Sequence, residues 1–405
     1  MKSLNTRYQF INFSYFAMMA SMLAFASNYL LDLGYSNSEI GLILALYSVV
    51  SLVLQPLCAS YGDKHPDVPL QRLILAMLLV IMLGSLFLFV SSRVWGRNIV
   101  LSMITVLIFA CMMSGMPLIN TAAFMYEKFG VRINYGLARG LGSAAYAIVS
   151  MALGYLIDAL TPSILPLIYF LLALISALAV HSYRLKLSKP EQKTEKAFEA
   201  KEEKSKITLL QFLTKYKTLT IVLTGYMLVY TTHSIINNFY IQVVQNVHGT
   251  SANMGIAVFI AAIVELPAMF GFEKLAKRFR IESLLKISLV FYLAKHVVTF
   301  FAFNVWGIYL AAFLQIGAYA LFTPAIVYYV NQVVSEYDIL MGQTVNTMFI
   351  TMAGIIGSLF GGVLMDMLSV HLVLGIGVVL SLIGLLLCYP CLTGSKAKQA
   401  INMEK

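Results

Sequence analysis

Charge is scarce in this chain. Asp, Glu, Lys and Arg make up 11% of its 405 residues, under half the roughly 25% usual in soluble domains. Cysteine is scarce too: Cys58, Cys111, Cys388 and Cys391 are too few and too scattered for a disulfide scaffold. Cys388 and Cys391 have C-x-x-C spacing, but neither a second ligand pair nor a thioredoxin-like pattern accompanies them, so they are expected to be ordinary membrane-edge cysteines. The sequence also lacks a phosphate-cradling P-loop, a G-x-G-x-x-G after a strand and an H-E-x-x-H helix. ATP-driven pumping within this chain is therefore not expected, nor is a cofactor or a metal site.

What is abundant is apolar. Such residues make up 60% of the chain, enough for twelve membrane-crossing helices of about 20 residues each. A soluble fold of this length has no interior large enough for so much oily surface, and a disordered chain is excluded by the same composition. The apolar segments predict spans over 8–31, 38–60, 70–91, 98–125, 135–157, 162–183, 218–245, 252–272, 283–303, 305–333, 341–365 and 370–392. Each is predicted helical, because lipid offers the backbone no other partners outside a closed barrel. Barrel strands would be about ten residues long with strict alternation. The first apolar run is longer than a signal-peptide core of about 7–15 residues, so it is expected to be a retained span.

Residues 184–217 stand apart, with ten Lys or Arg and five Glu. They are expected to form a solvated connector between two six-helix units, giving 1–184, 185–217 and 218–405. Of the 28 Lys and Arg, 24 fall in the loops and tails on the side of the termini, Arg93 and Arg97 fall on the other side, and Arg139 and Lys295 lie within spans. The positive-inside rule then predicts both termini in the cytoplasm and a cell-membrane location. The net charge of +10 reflects topology and lipid headgroups rather than nucleic acid. One loop on the basic side, about 334–340, carries Glu336 and Asp338 without any basic residue.

The halves look like duplicates. The fifth span ends Gly-Tyr-Leu-Ile-Asp158 and the eleventh ends Gly-Val-Leu-Met-Asp366. Both are rich in small residues that allow close helix approach. A parallel repeat of this kind places a cavity between the halves near the midplane.

An ionisable side chain within a span is expensive, and hence a functional candidate. Glu265 is the carboxylate at mid-membrane; its readings are a protonatable, solute-binding group or an ion pair with Lys295 or Arg139. Arg139 is expected either to bind a ligand through its planar fork or to reach toward headgroups. Lys295 is too central to reach water easily. His233 and Asn237 are four residues apart and share a helix face. Asn120, Gln315 and Asn346 are expected either to face the cavity or to bond a neighbouring helix.

Three stretches carry a family resemblance. Residues 51–57 (SLVLQPL) with Gly62-Asp63-Lys64, the segment Tyr135-Gly-Leu-Ala-Arg139-Gly-Leu-Gly142, and Val264-Glu265-Leu266-Pro267 are similar to motifs of the major facilitator superfamily. They resemble the lactose-permease (oligosaccharide:proton symporter) branch and its phenylpropionate-permease-like relatives. The resemblance implies an all-α fold of two six-helix bundles, sugar binding by Arg139 and Glu265, and a conformational role for Asp63 and Lys64. There are departures. The branch's second sugar-binding acid falls at Ala123, its coupling His and Glu fall near Gln315 and Ala318, its ninth-helix arginine position holds Lys295, and its seventh-helix aspartates fall near His233 and Ile236. Proton coupling, if it follows the branch, would run mainly through Glu265. The expectation is a monomeric secondary transporter of a small polar solute, most simply a sugar, by proton symport. The alternatives are an aromatic carboxylate, sugar acid or nucleoside as solute, an efflux antiporter, or a non-transporting membrane enzyme or sensor.

Overall fold

The computed structural model describes residues 2–65, 68–124, 133–183 and 207–392. Every regular element among them is helical. In the first half, α1 (Lys2–Met19) runs through a π-helical turn (Ala20–Ala24) into α2 (Ala26–Asp32). Then come α3 (Asn37–Lys64), α4 (Leu70–Trp95), α5 (Ile99–Ala122), α6 (Tyr135–Ala159) and α7 (Leu165–Ser182). The second half holds α8 (Leu209–Lys215), α9 (Lys217–Asn238), α10 (Tyr240–Asn246), α11 (Ser251–Arg278) and α12 (Ile281–Phe300). It ends with α13 (Val305–Phe313), α14 (Tyr319–Val333), α15 (Ile339–Met367) and α16 (Val370–Cys391). Eleven helical stretches are long and apolar enough to cross a membrane, and the pair α1–α2, bent by 47°, makes a twelfth span.

Three of the twelve predicted spans are broken, a feature the apolar pattern does not reveal. The first bends at Phe25 after the π turn. The seventh breaks at Phe239 (φ −116°, ψ 36°), between α9 and α10. The tenth passes through a 3-10 turn at Leu314–Ile316 before α14. None of these breaks sits at a proline, whereas Pro56, Pro117, Pro267 and Pro324 lie inside α3, α5, α11 and α14 without ending them. A broken turn frees backbone groups that lipid cannot satisfy. The Asn238 carbonyl at the seventh-span break accepts from the Ser27 hydroxyl.

Lipid is as apolar as leucine, so packing between spans relies on close approach at small residues. Gly225 of α9 lies on α16, where an added Cβ would sit 2.6 Å from the Gly384 carbonyl oxygen and 2.5 Å from Cys388 Sγ. Cys388 is buried and its thiol donates to the Val222 carbonyl at 3.2 Å, so its surroundings are those of a packing residue. Gly225→Val is expected to cost about 1–3 kcal/mol by overpacking, seen as a lower thermal midpoint in detergent. An unaltered midpoint would show that α9 and α16 do not meet there.

The charged connector is expected to be solvated throughout. Residues 184–206 lie outside the described residues, but 207–217 dock on the second half. The side chain of Phe212 on α8 is fully buried. Lys215 Nζ pairs with buried Asp338 at 3.1 Å, and the Tyr216 hydroxyl donates to the same carboxylate at 2.7 Å. The acidic loop thus draws its cation from the connector. Hydrogen bonding to Asp338 holds the Lys215 ammonium above its ordinary value of 10.5, against a smaller opposing effect of burial. A raised lysine value stabilises the fold fully at neutral pH, and the contribution fades as pH climbs past 10.5 toward the folded value. Lys215 is half-exposed, so Lys215→Met is expected to cost at most about 1 kcal/mol. Asp338→Ala should cost more, because it strands the hydrogen bonds of Tyr216 and Ser335 as well. Equal thermal midpoints for the two variants would refute this ordering.

The two halves meet where α6 packs on α11 and α3 on α15. These contacts concentrate at one end. Gly154 adjoins Gly255 and the Ser251 backbone, Gly41 adjoins the Ser358 backbone, and Gly362 adjoins that of Asn37. Toward the other end, Gly136 and Gly354 have open space or distant neighbours, and Leu52, Val53 and Leu57 of α3 are exposed. The molecule is therefore closed on the side of the loop joining α2 to α3. It is open on the side where α1 begins and α16 ends.

Candidate functional site

A cavity of about 510 Å³ lies between the halves and opens toward the terminus side. All three span breaks border it: Leu23 and Ala24 belong to the π turn, Asn238 and Tyr240 flank the seventh-span break, and Gln315 sits in the 3-10 turn. A broken helix turns its side chains and free carbonyls toward a water-filled space, which is where irregular backbone is tolerated at membrane depth.

Arg139 from α6 and Glu265 from α11 both line this cavity, contributed by opposite halves. The Arg139 guanidinium lies over the Phe16 ring at 4.3 Å and donates to Ser143 Oγ at 3.1 Å. One face is thus stacked on an aromatic ring, and the fork keeps N–H groups for a ligand.

Glu265 does not pair directly with a cation. No ion pair within 4.0 Å involves it among the described residues. Gln315 stands between it and Lys295. The Gln315 amide donates to Glu265 Oε1 at 2.9 Å, and its carbonyl accepts from Lys295 Nζ at 2.5 Å. Lys295 Nζ also lies 3.5 Å from His233 Nδ1, and His233 Nε2 lies 3.0 Å from the Asn237 amide. One continuous chain of polar groups therefore runs Glu265, Gln315, Lys295, His233, Asn237. Its geometry requires the 3-10 turn, which aims Gln315 inward between α11 and α12. Lys295 is buried, with Gln315 and His233 as its side-chain neighbours in this chain.

Of the residues singled out in the sequence, Arg139, Glu265, Lys295, His233, Asn237 and Gln315 share the cavity wall. Asn120 and Asn346 are not among its lining residues, which leaves the other expected place, a bond to a neighbouring helix, for Asn120. Asn120, in the last turn of α5, accepts from the Tyr135 hydroxyl at 3.2 Å. Asn346 is buried in α15. Lys64 is exposed at the end of α3, and the Asp63 side chain lies outside the described residues. Five tyrosines of the wall, Tyr47, Tyr146, Tyr230, Tyr240 and Tyr319, carry no signal that separates them from the chain's other tyrosines. They offer ring faces and hydroxyls suited to a hydroxylated or cyclic solute.

Known proteins give three kinds of likeness. The model of the MFS_1 like family matches residues 5–374. A maltose permease of Geobacillus stearothermophilus is 24% identical over 305 residues, 74% of this chain and 72% of that one. Among solved structures, the nucleoside transporter NupG superposes with a TM-score of 0.72 at 15% identity, covering 96% of this chain and 98% of that chain. A bacterial homologue of the iron transporter ferroportin, in an inward-facing state, gives a TM-score of 0.67 at 12% identity, covering 97% and 99%. These low identities speak for the fold alone.

Proposed function

Since the chain belongs to the MFS_1 like family within the major facilitator superfamily, and is thus a multi-pass membrane transporter of a small molecule, we propose that it carries a hydroxylated solute by proton symport. A sugar or close relative is the favoured solute, supported by the maltose-permease relative and by the tyrosine-rich wall. The observation that carries the reading is the placement of Arg139 and Glu265 on opposite walls of one cavity, with Glu265 tied to Lys295 through Gln315.

The mechanism follows from those contacts. Ionised Glu265 accepts a charge-assisted hydrogen bond from Gln315, stronger than a neutral one. A proton arriving on Glu265 weakens that bond and removes the carboxylate that offsets Lys295. Gln315 is then free to turn its amide. Solute held by Arg139 on one wall and the polar chain on the other bridges the halves, and the loaded carrier rocks between its two facings. No catalytic step is involved. The reading includes a cell-membrane location with both termini cytoplasmic, which makes the open form inward-facing. It includes a monomer organised as 1–184, 185–217 and 218–405, with Asp63 and Lys64 in the moving loop.

A second reading rests on charge. Two cations, Arg139 and Lys295, face one carboxylate in the cavity, and a monoanion such as a sugar acid or aromatic carboxylate would offset the surplus. The test is a thermal-shift screen of purified protein against sugars, sugar acids, aromatic acids and nucleosides. Uptake of the best binder into proteoliposomes under an imposed pH gradient follows. Stabilisation by a ligand at a hundred times its Kd is about 2.7 kcal/mol. Accumulation driven by an inward proton gradient is the expected result; accumulation driven only by an outward solute-for-proton exchange would establish an antiporter instead.

A further inference from the structure

The closed face of the molecule is held by two contacts of the same design. At the end of α6, Asp158 receives the first two backbone N–H groups of α11: Ser251 N donates to Oδ1 and Ala252 N to Oδ2, each at 2.9 Å. At the end of α15, Asp366 receives the first two of α3: Asn37 N donates to Oδ1 at 3.0 Å and Ser38 N to Oδ2 at 2.7 Å. The Asn37 side-chain amide adds a third bond to Oδ1 at 3.0 Å. In both cases the acid belongs to one half and the helix start to the other. Both acids occupy the same place in the duplicated segment, Gly-x-x-x-Asp.

A helix start leaves four N–H groups without partners and carries partial positive charge. Here each helix covers part of its own start. Ser36 accepts from Glu39 N at 3.3 Å, and Asn253 accepts from Thr250 N at 2.9 Å. The N–H groups of Asn37 and Ser38, and those of Ser251 and Ala252, are left to the opposite half. Separation of the halves at this face would strip both carboxylates and four N–H groups of partners together. The glycines beside each contact, Gly154 with Gly255 and Gly41 with Gly362, bring the backbones close enough for this bonding.

We propose that Asp158 and Asp366 are paired latches, each a carboxylate of one half capping a helix of the other, which set the balance between the facing seen here and the opposite one. Breaking a latch favours opening of the closed face. Because the two share no hydrogen-bond partner, their effects are expected to add. The inference needs alternating access but neither a particular solute nor a proton, so it stands or falls separately from the coupling mechanism.

The experiment uses the full chain with its four cysteines replaced and spin labels on Thr161→Cys and Leu372→Cys, exposed positions of opposite halves on the closed face. Double electron–electron resonance reads the distance between the labels. Asp158→Asn and Asp366→Asn are each expected to raise the ratio of long-distance to short-distance populations roughly threefold, and the double variant roughly tenfold, the size expected for charged contacts of exposed carboxylates. Should the double variant fold poorly, Ser251→Pro and Asn37→Pro test the same contact from the donor side. Proline is tolerated at the first helical position; besides the N–H it removes the Asn37 amide that also bonds Asp366 and the Ser251 hydroxyl that accepts from Asn28. These variants should shift the distribution in the same direction. A folded double Asn variant, or folded proline variants, with the parent's distribution would overturn the proposal.

Discussion

Glu265→Gln is expected to abolish proton-driven accumulation, lowering it roughly a hundredfold, while solute exchange down its own gradient persists. The amide keeps the shape of the side chain and a neutral hydrogen bond to Gln315, so the cavity wall is preserved. What is lost is the group that ionises. A charged hydrogen bond contributes about 1.5–3 kcal/mol, and its loss alone corresponds to a factor of about 10–150. Lys295, buried at the far side of Gln315, also loses the carboxylate that offsets it, and an uncompensated buried charge costs several kcal/mol. Two measurements separate the effects: proton flux accompanying solute in liposomes, and solute counterflow without a gradient. Parent-level proton flux in the variant would end the case for Glu265 as the coupling group.

Arg139→Lys should weaken solute binding by roughly ten- to a hundredfold and leave the fold intact. Among the described residues the guanidinium makes one side-chain hydrogen bond, to Ser143, and stacks on Phe16, so little of the architecture they form depends on it. Lysine keeps the charge but not the planar fork that can hold two ligand oxygens at once. The loss of about 1.5–3 kcal/mol of charged hydrogen bonding appears as a smaller ligand-induced thermal shift at fixed ligand concentration. Arg139→Lys with the parent's affinity would mean that charge alone matters at this position. Such a result would favour the monoanionic solute over the sugar.

The two experiments probe opposite walls of the same cavity. Loss of binding in one variant and of coupling in the other would assign solute recognition to the first half and proton coupling to the second. That division matches the polar chain, whose five members all come from α9, α11, α12 and the 3-10 turn before α14.

The sequence alone settled the class of molecule, the twelve spans and the uneven placement of basic residues. Each of these depends on the transfer of one segment into lipid, a local quantity that composition measures. It also picked out Arg139, Glu265 and Lys295, since ionisable groups at membrane depth stand out against apolar neighbours. His233 with Asn237 was legible from four-residue spacing. Tertiary structure decided the rest. It placed Gln315 between Glu265 and Lys295, drew five tyrosines to the cavity and left Asn120 and Asn346 out of its lining. It broke the first, seventh and tenth spans, and it set Asp158 and Asp366 on the helix starts of the opposite half. The reason is rotational. A step of one residue turns a helix by about 100°, and apolar composition on every face leaves that angle unspecified until the neighbouring helices fix it.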